Sequence, residues 1–126
     1  MANETVLIIE DNEKNRKLIR DLLQAKGYQT IESDAAEEGL KLAQERNPAL
    51  ILMDIQLAGV DGITAMKQLK AAPATRTIPV IAITASAMTY NRQSMLAEGF
   101  DGYQMKPFNL SEFLAEIARL IEQNHS

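Results

Sequence analysis

Ala49-Leu50-Ile51-Leu52-Met53-Asp54 decides how this chain is read, because five apolar residues run unbroken into a carboxylate. A strand that is apolar at every residue is covered on both faces, which is how parallel strands inside an α/β sheet read. Thr5-Val6-Leu7-Ile8-Ile9 and Ile78-Pro79-Val80-Ile81-Ala82-Ile83 are short, β-branched runs of the same kind. Tyr28-Gln29-Thr30-Ile31 and Gly102-Tyr103-Gln104-Met105 are mixed runs, better suited to sheet edges.

Between these strands the apolar spacing turns helical. Leu18, Ile19, Leu22 and Leu23 make a stripe that stops at Gly27, a residue suited to a left-handed cap. Asp34 stands where the second helix needs a cap, Glu37 follows three residues on, and Leu40 and Ala43 face inward. A third helix opens at Asp61, runs through Ile63, Met66 and Leu69, and ends before Pro73. Ser86 to Glu98 is the least periodic stretch and is read as a mobile helix. The last helix has Asn109 as cap, Glu112 at its third position, and Leu110, Phe113, Leu114, Ile117 and Ile121 on one face.

Strand followed by helix, five times over, predicts an α/β fold with helices on both faces of a parallel sheet and right-handed crossovers. The expected form is a flavodoxin-like (βα)5 doubly wound sheet of order 2-1-3-4-5, with ligands beyond the carboxyl ends of the strands where the order reverses.

At 126 residues the expectation is one domain spanning 1–126, without room for a separate output domain. Apolar residues make up 46% and charged residues 24%, a globular composition. A net charge of −4 has the wrong sign for a phosphate-backbone binder, so no nucleic-acid partner is expected. Residues 1–63 hold 12 of the 17 carboxylates, so something in the first half collects acid. Met1 to Thr5 lacks a basic region followed by an apolar stretch, and no apolar run is long enough for a bilayer. A cytoplasmic protein without membrane contact is therefore expected.

The strand ends hold the chemistry. The first is followed by Glu10 and Asp11, the third by Asp54, the fourth by Thr84 and the fifth by Lys106. Any one of these reads as a cap for the next helix. Together they converge, since strands one and three are neighbours at the switch point. Two carboxylates about 5 Å apart repel by roughly 3 kcal/mol at an effective dielectric of about 20, so they call for a cation. An all-oxygen site without His or Cys favours a hard ion, and Mg²⁺ fits best. With the Lys106 ammonium and the Thr84 hydroxyl, the set has the parts needed to hold a phosphoryl group.

Glu10-Asp11-Asn12, Met53-Asp54-Ile55-Gln56, Asp61-Gly62, Thr84-Ala85 and Lys106-Pro107-Phe108, in that order and spacing, resemble the signature of response-regulator receiver domains. Asp54-Ile55-Gln56-Leu57 and Thr84-Ala85-Ser86-Ala87-Met88 further resemble the stand-alone, DivK-like members of that family. The resemblance implies that Asp54 accepts the phosphoryl group, that Asp11 is a direct Mg²⁺ ligand and Glu10 an outer one, and that Gln56 lends its backbone carbonyl. It implies that Thr84 and Lys106 each hold a phosphoryl oxygen, that Tyr103 is the aromatic switch, and that Lys106-Pro107 is a cis peptide. The implied partners are a histidine kinase or histidine phosphotransfer protein as donor and a downstream protein target. One departure is visible: receiver domains often carry Met-Pro where this chain has Leu57-Ala58.

Other features point elsewhere or nowhere. Lys14, Arg16, Lys17 and Arg20 make a basic face on the first helix, read as solvated with an acidic partner as the alternative. His125, the one histidine, sits at the chain's tail and offers no internal phosphate relay. The six methionines read as core filler, with Met88 and Met95 set apart on the mobile helix. A phosphohydrolase with an aspartyl nucleophile would carry a second Asp two residues after it, where Gln56 stands. A flavin or nucleotide carrier would have a glycine-rich turn after the first strand, where Asp11-Asn12-Glu13 stands.

Overall fold

The computed structural model describes residues 4–56, 61–85 and 91–125. Its elements alternate: β1 (Thr5–Ile9), α1 (Glu13–Ala25), β2 (Gln29–Ser33), α2 (Ala36–Arg46), β3 (Leu50–Asp54), α3 (Gly62–Ala71), β4 (Val80–Thr84), α4 (Arg92–Glu98), β5 (Gly102–Met105) and α5 (Leu110–His125). All strand pairs are parallel and the order is β2-β1-β3-β4-β5, the flavodoxin-like doubly wound sheet.

The sheet's two faces are covered by different helices. Val6, Ile8, Leu50, Leu52, Ile81 and Ile83 pack against Ile19 and Leu23 of α1 and Phe113, Ile117 and Ile121 of α5. Leu7, Ile9, Ile51, Met53, Val80 and Ala82 pack against Ala43 of α2, Met66 and Leu69 of α3 and Met95 of α4. Alternation along a strand thus sends even-numbered residues of β1 and β3 to the α1/α5 face and odd-numbered ones to the other. Each buried Leu, Ile or Phe side chain is worth about 1.5 to 3 kcal/mol over exposure, and this two-sided burial holds the strand ends in place.

Several sequence expectations are corrected. β2 runs two residues past Ile31, since Ser33 still pairs with Ile9, and this moves the start of α2 to Ala36. Asp34 therefore does not cap α2. The Ser33 hydroxyl accepts from the Ala35 amide at 3.2 Å and sits 3.2 Å from the Glu38 carboxylate. Leu18 and Leu110 are half exposed instead of facing inward, because each helix spends only a narrow stripe on the sheet. Met95 is buried at the base of α4 and is core, not a surface methionine. The basic face of α1 is mostly neutralised: Arg16 and Arg20 both pair with Glu32 of β2, and Lys17 pairs with Asp21. The described part of the weakly periodic helix begins at Arg92, after a capping box of Asn91 and Ser94. Leu57-Ala58 and the residues from Ser86 through Met88 lie outside the described residues. Elsewhere the local signals agree: Asp61 and Asn109 each accept a hydrogen bond from an amide three residues on, and Gly27 has φ 91° just past α1. Asn12 caps α1 in the same way, a cap the sequence reading did not single out.

Candidate functional site

The register brings the acids together. Ile9 of β1 pairs with Met53 of β3, so the next residues, Glu10 and Asp54, stand side by side. Both have even numbers and continue the α1/α5 face. Glu10 is fully buried and Asp54 is 4% exposed. Asp11, exposed at the mouth, joins them, and one oxygen from each of the three carboxylates lies within 4.8 Å of the others.

Backbone groups hold these carboxylates. The Gln56 amide donates to Asp54 Oδ1 at 2.8 Å, and the Asn12 amide donates to Glu10 Oε2 at 3.1 Å. Lys106, beyond the end of β5, reaches in with its Nζ 2.8 Å from Glu10 Oε1 and 3.3 Å from Asp54 Oδ2. The contact to Glu10 is close but poorly directed, so this buried oxygen has charge beside it and no aligned hydrogen bond. Burial lifts the Glu10 carboxyl from 4.5 to about 7, a hydrogen bond with Asp54 adds to the rise, and Lys106 opposes it. Burial would lower the Lys106 pKa, but pairing with Glu10 and the charge of Asp54 outweigh it and hold the ammonium above its usual value.

The donor set suits a hard cation. Three carboxylates converge without sulfur or imidazole, and the Glu10 oxygen lacking an aligned donor is the atom that a small divalent ion would relieve. The residues present therefore fit Mg²⁺, with Glu10, Asp11 and Asp54 as carboxylates and Gln56 beside Asp54 in the chain.

Thr84 and Tyr103 occupy the other sheet face. Val80 and Ala82 point there, and Thr84 continues their parity, fully buried at the end of β4. Ala82 pairs with Tyr103, so the two polar residues are diagonal neighbours on adjacent strands. The Lys106 amide donates to the Thr84 carbonyl at 2.8 Å, which ties this strand end to the lysine. The Lys106-Pro107 peptide is cis.

Three features escaped the sequence reading. Gly62 opens α3 where an added Cβ would fall 2.5 Å from Ile55 Cα and 2.7 Å from the Asp54 carbonyl, so the helix packs directly on the backbone after Asp54. Arg92 donates to Glu116 at 2.8 Å and to the Tyr103 carbonyl at 3.0 Å, with its guanidinium 5.9 Å from the Tyr103 ring centre. Arg16 and Glu32 brace the loop after β1. A signal existed for the two arginine partners on helices: Arg16 shares the i, i+3, i+7 stripe of Ile19 and Leu23, and Glu116 stands three residues after Phe113 on the buried stripe of α5.

The model for the response regulator receiver domain matches residues 6–118 of this chain. The chain belongs to the response-regulator receiver family. It is 46% identical to the polar-differentiation response regulator DivK of Brucella ovis over 114 residues, 90% of this chain and 93% of that protein, and equally to DivK of Brucella anthropi. Among solved structures it is similar to the receiver domain of the sensor histidine kinase PA1611 of Pseudomonas aeruginosa, which has a magnesium ion coordinated in its active-site cleft (30% identity, TM-score 0.87, 95% of this chain and 98% of that one). It is also similar to a response regulator from Chloroflexus aurantiacus (25% identity, TM-score 0.89, the same coverage). Among the described residues no helix is long and apolar enough to cross a membrane.

Proposed function

We propose that this chain acts as a receiver in the manner of the DivK regulators it resembles: it accepts a phosphoryl group on Asp54 from a phosphohistidine of a histidine kinase or phosphotransfer protein, and signals by a phosphorylation-dependent contact with a downstream protein. The observation that carries this reading is the convergence of Glu10, Asp11 and Asp54 within 4.8 Å, with Lys106 against Asp54.

An Asp54 carboxylate oxygen attacks phosphorus. The new O–P bond forms as the P–N bond breaks, and its electron pair returns to the imidazole nitrogen. Asp11, Asp54 and the Gln56 carbonyl would hold Mg²⁺ directly, with Glu10 in its outer shell, and the ion would supply positive charge to the phosphoryl oxygens. Lys106 supplies a second cation to another oxygen, and Thr84 offers its hydroxyl to a third. The Gln56 amide keeps Asp54 oriented while the bond forms. Gln56 cannot act as a general acid, so the chain is a phosphoacceptor that assists its own phosphorylation and dephosphorylation, not a phosphohydrolase. The exposed Leu18 and Leu110, which share a groove with Lys106, Pro107 and Phe108, lie where a donor protein must approach. Its setting is the cytoplasm, with neither nucleic acid nor membrane as partner.

Incubation with acetyl phosphate and Mg²⁺ adds one phosphoryl group, labile at alkaline pH, as read by intact mass. Asp54→Asn takes up none. Unchanged uptake by that variant would sink the assignment, and turnover of a free phosphomonoester would favour the hydrolase.

A further inference from the structure

Arg16 grips the backbone of the loop that carries Glu10 and Asp11. Its Nη1 donates to the Glu10 carbonyl at 2.9 Å, and its Nε donates to Glu32 Oε1 on β2 at 3.3 Å. The side chain is 18% exposed, and Arg20 pairs with the same Glu32. The loop is then fixed at successive groups: the Glu10 amide donates to the Ser33 carbonyl at 3.0 Å, the Glu10 carbonyl accepts from Arg16, and the Asn12 amide is held by the Glu10 carboxylate. The peptide whose carbonyl Arg16 grips is the one that leads into Asp11. Fixing that peptide plane fixes where the Asp11 Cα sits and narrows the directions open to its side chain.

We propose that Arg16, itself locked by Glu32, is a positioning residue that preorganises Glu10 and Asp11 for the cation. The proposal rests on the reading of the acidic cluster as a Mg²⁺ site and adds a residue to it. Without the grip on the Glu10 carbonyl the loop backbone gains conformations and must be ordered again when the ion binds. Residues that orient metal ligands without touching the metal commonly carry about 10- to 100-fold in affinity.

Charge alone predicts the opposite. Removing a cation near three carboxylates makes the site more negative and strengthens Mg²⁺ binding. The double variant Arg16→Gln with Glu32→Gln leaves net charge unchanged and separates the two effects. Mg²⁺ affinity is read by calorimetry and by the Mg²⁺-dependent rise in melting temperature, with no phosphodonor present. The double variant is expected to bind Mg²⁺ about tenfold more weakly than the parent. Arg16→Lys, which keeps the charge but cannot grip carbonyl and carboxylate as a fork, should fall between them. Parent-like affinity in the double variant, even with a lower melting temperature in the absence of metal, would reduce Arg16 to a structural strut and overturn the proposal. Tighter binding in Arg16→Gln together with parent-like binding in the double variant would overturn it in favour of charge alone. A parent protein that ignores Mg²⁺ overturns the metal reading itself, and this inference with it.

Discussion

Lys106 places its ammonium 2.8 Å from the fully buried Glu10 carboxylate, and that carboxyl is nevertheless raised to about 7. One cation divided between Glu10 and Asp54 does not repay the burial of both charges. The metal-free site is therefore under electrostatic strain at neutral pH.

The strain has a definite pH dependence. A carboxyl whose pKa is higher in the folded state binds a proton that the unfolded chain has already lost, so stability falls as pH rises between 4.5 and about 7 and is then level. At 1.36 kcal/mol per unit the loss is on the order of 3 kcal/mol. Glu10→Gln should remove this slope and make the metal-free protein more stable than the parent at pH 8. Urea unfolding of both at pH 5 and pH 8 checks it, and parallel behaviour of the two proteins would contradict it.

Metal binding should relieve the same repulsion. At a hundredfold excess over its dissociation constant, Mg²⁺ is expected to raise stability by about 2.7 kcal/mol. Asp11→Ala should lose most of that response while folding normally, since Asp11 is exposed. A melting temperature in the parent that is insensitive to Mg²⁺ from micromolar to tens of millimolar would refute the cation site.

Gly62 sets how α3 meets the end of β3. A Cβ there would meet backbone atoms of Ile55 and Asp54, which cannot rotate away as a side chain would. Gly62→Ala should cost about 1 to 3 kcal/mol or more, the range for overpacking, and should slow phosphate uptake by displacing Asp54. Denaturant midpoints and the rate of labelling by acetyl phosphate test the two parts separately.

Thr84 stands at the same carboxyl edge of the sheet as Asp54 and shares a sheet face with Tyr103, which suits it to link the two. Moving a population from 1:99 to 99:1 needs about 5.5 kcal/mol of differential interaction. A charge-assisted hydrogen bond from Thr84 supplies about 1.5 to 3 kcal/mol, and deeper burial of the half-buried Tyr103 ring a similar amount. Arg92, joined to the Tyr103 carbonyl and to Glu116, would move with the ring. Thr84→Ala should still accept phosphate but lose most of the phosphate-dependent gain in target affinity. Calorimetry with phosphorylated and unphosphorylated protein decides this, and an undiminished gain would move the switch to the loop after Asp54.

The sheet and the polar residues at its strand ends were legible because both rest on local signals. Uniformly apolar runs such as Leu50 to Met53, short and bounded by polar residues, fit strands buried on two faces, and the polar residue at the end of each run marks where the strand gives way to a loop. The edge was harder. β2 carries Glu32 and Ser33 on an extended backbone, and only its pairing with β1 shows that the strand continues past Ile31.

By itself the sequence determined the alternation of strand and helix, the caps Asp61 and Asn109, and the polar residues that stand at the strand ends, since each depends on neighbours a few positions away. Only the tertiary structure decided what those residues face. The Ile9–Met53 register sets Glu10 beside Asp54, the parity of β4 sends Thr84 to the opposite face, and the approach of β2 to α1 turns Arg16 from a solvated cation into a brace on the Glu10 carbonyl. Register, parity and packing distance join residues far apart in the chain, and no pattern within a single helix or strand contains them.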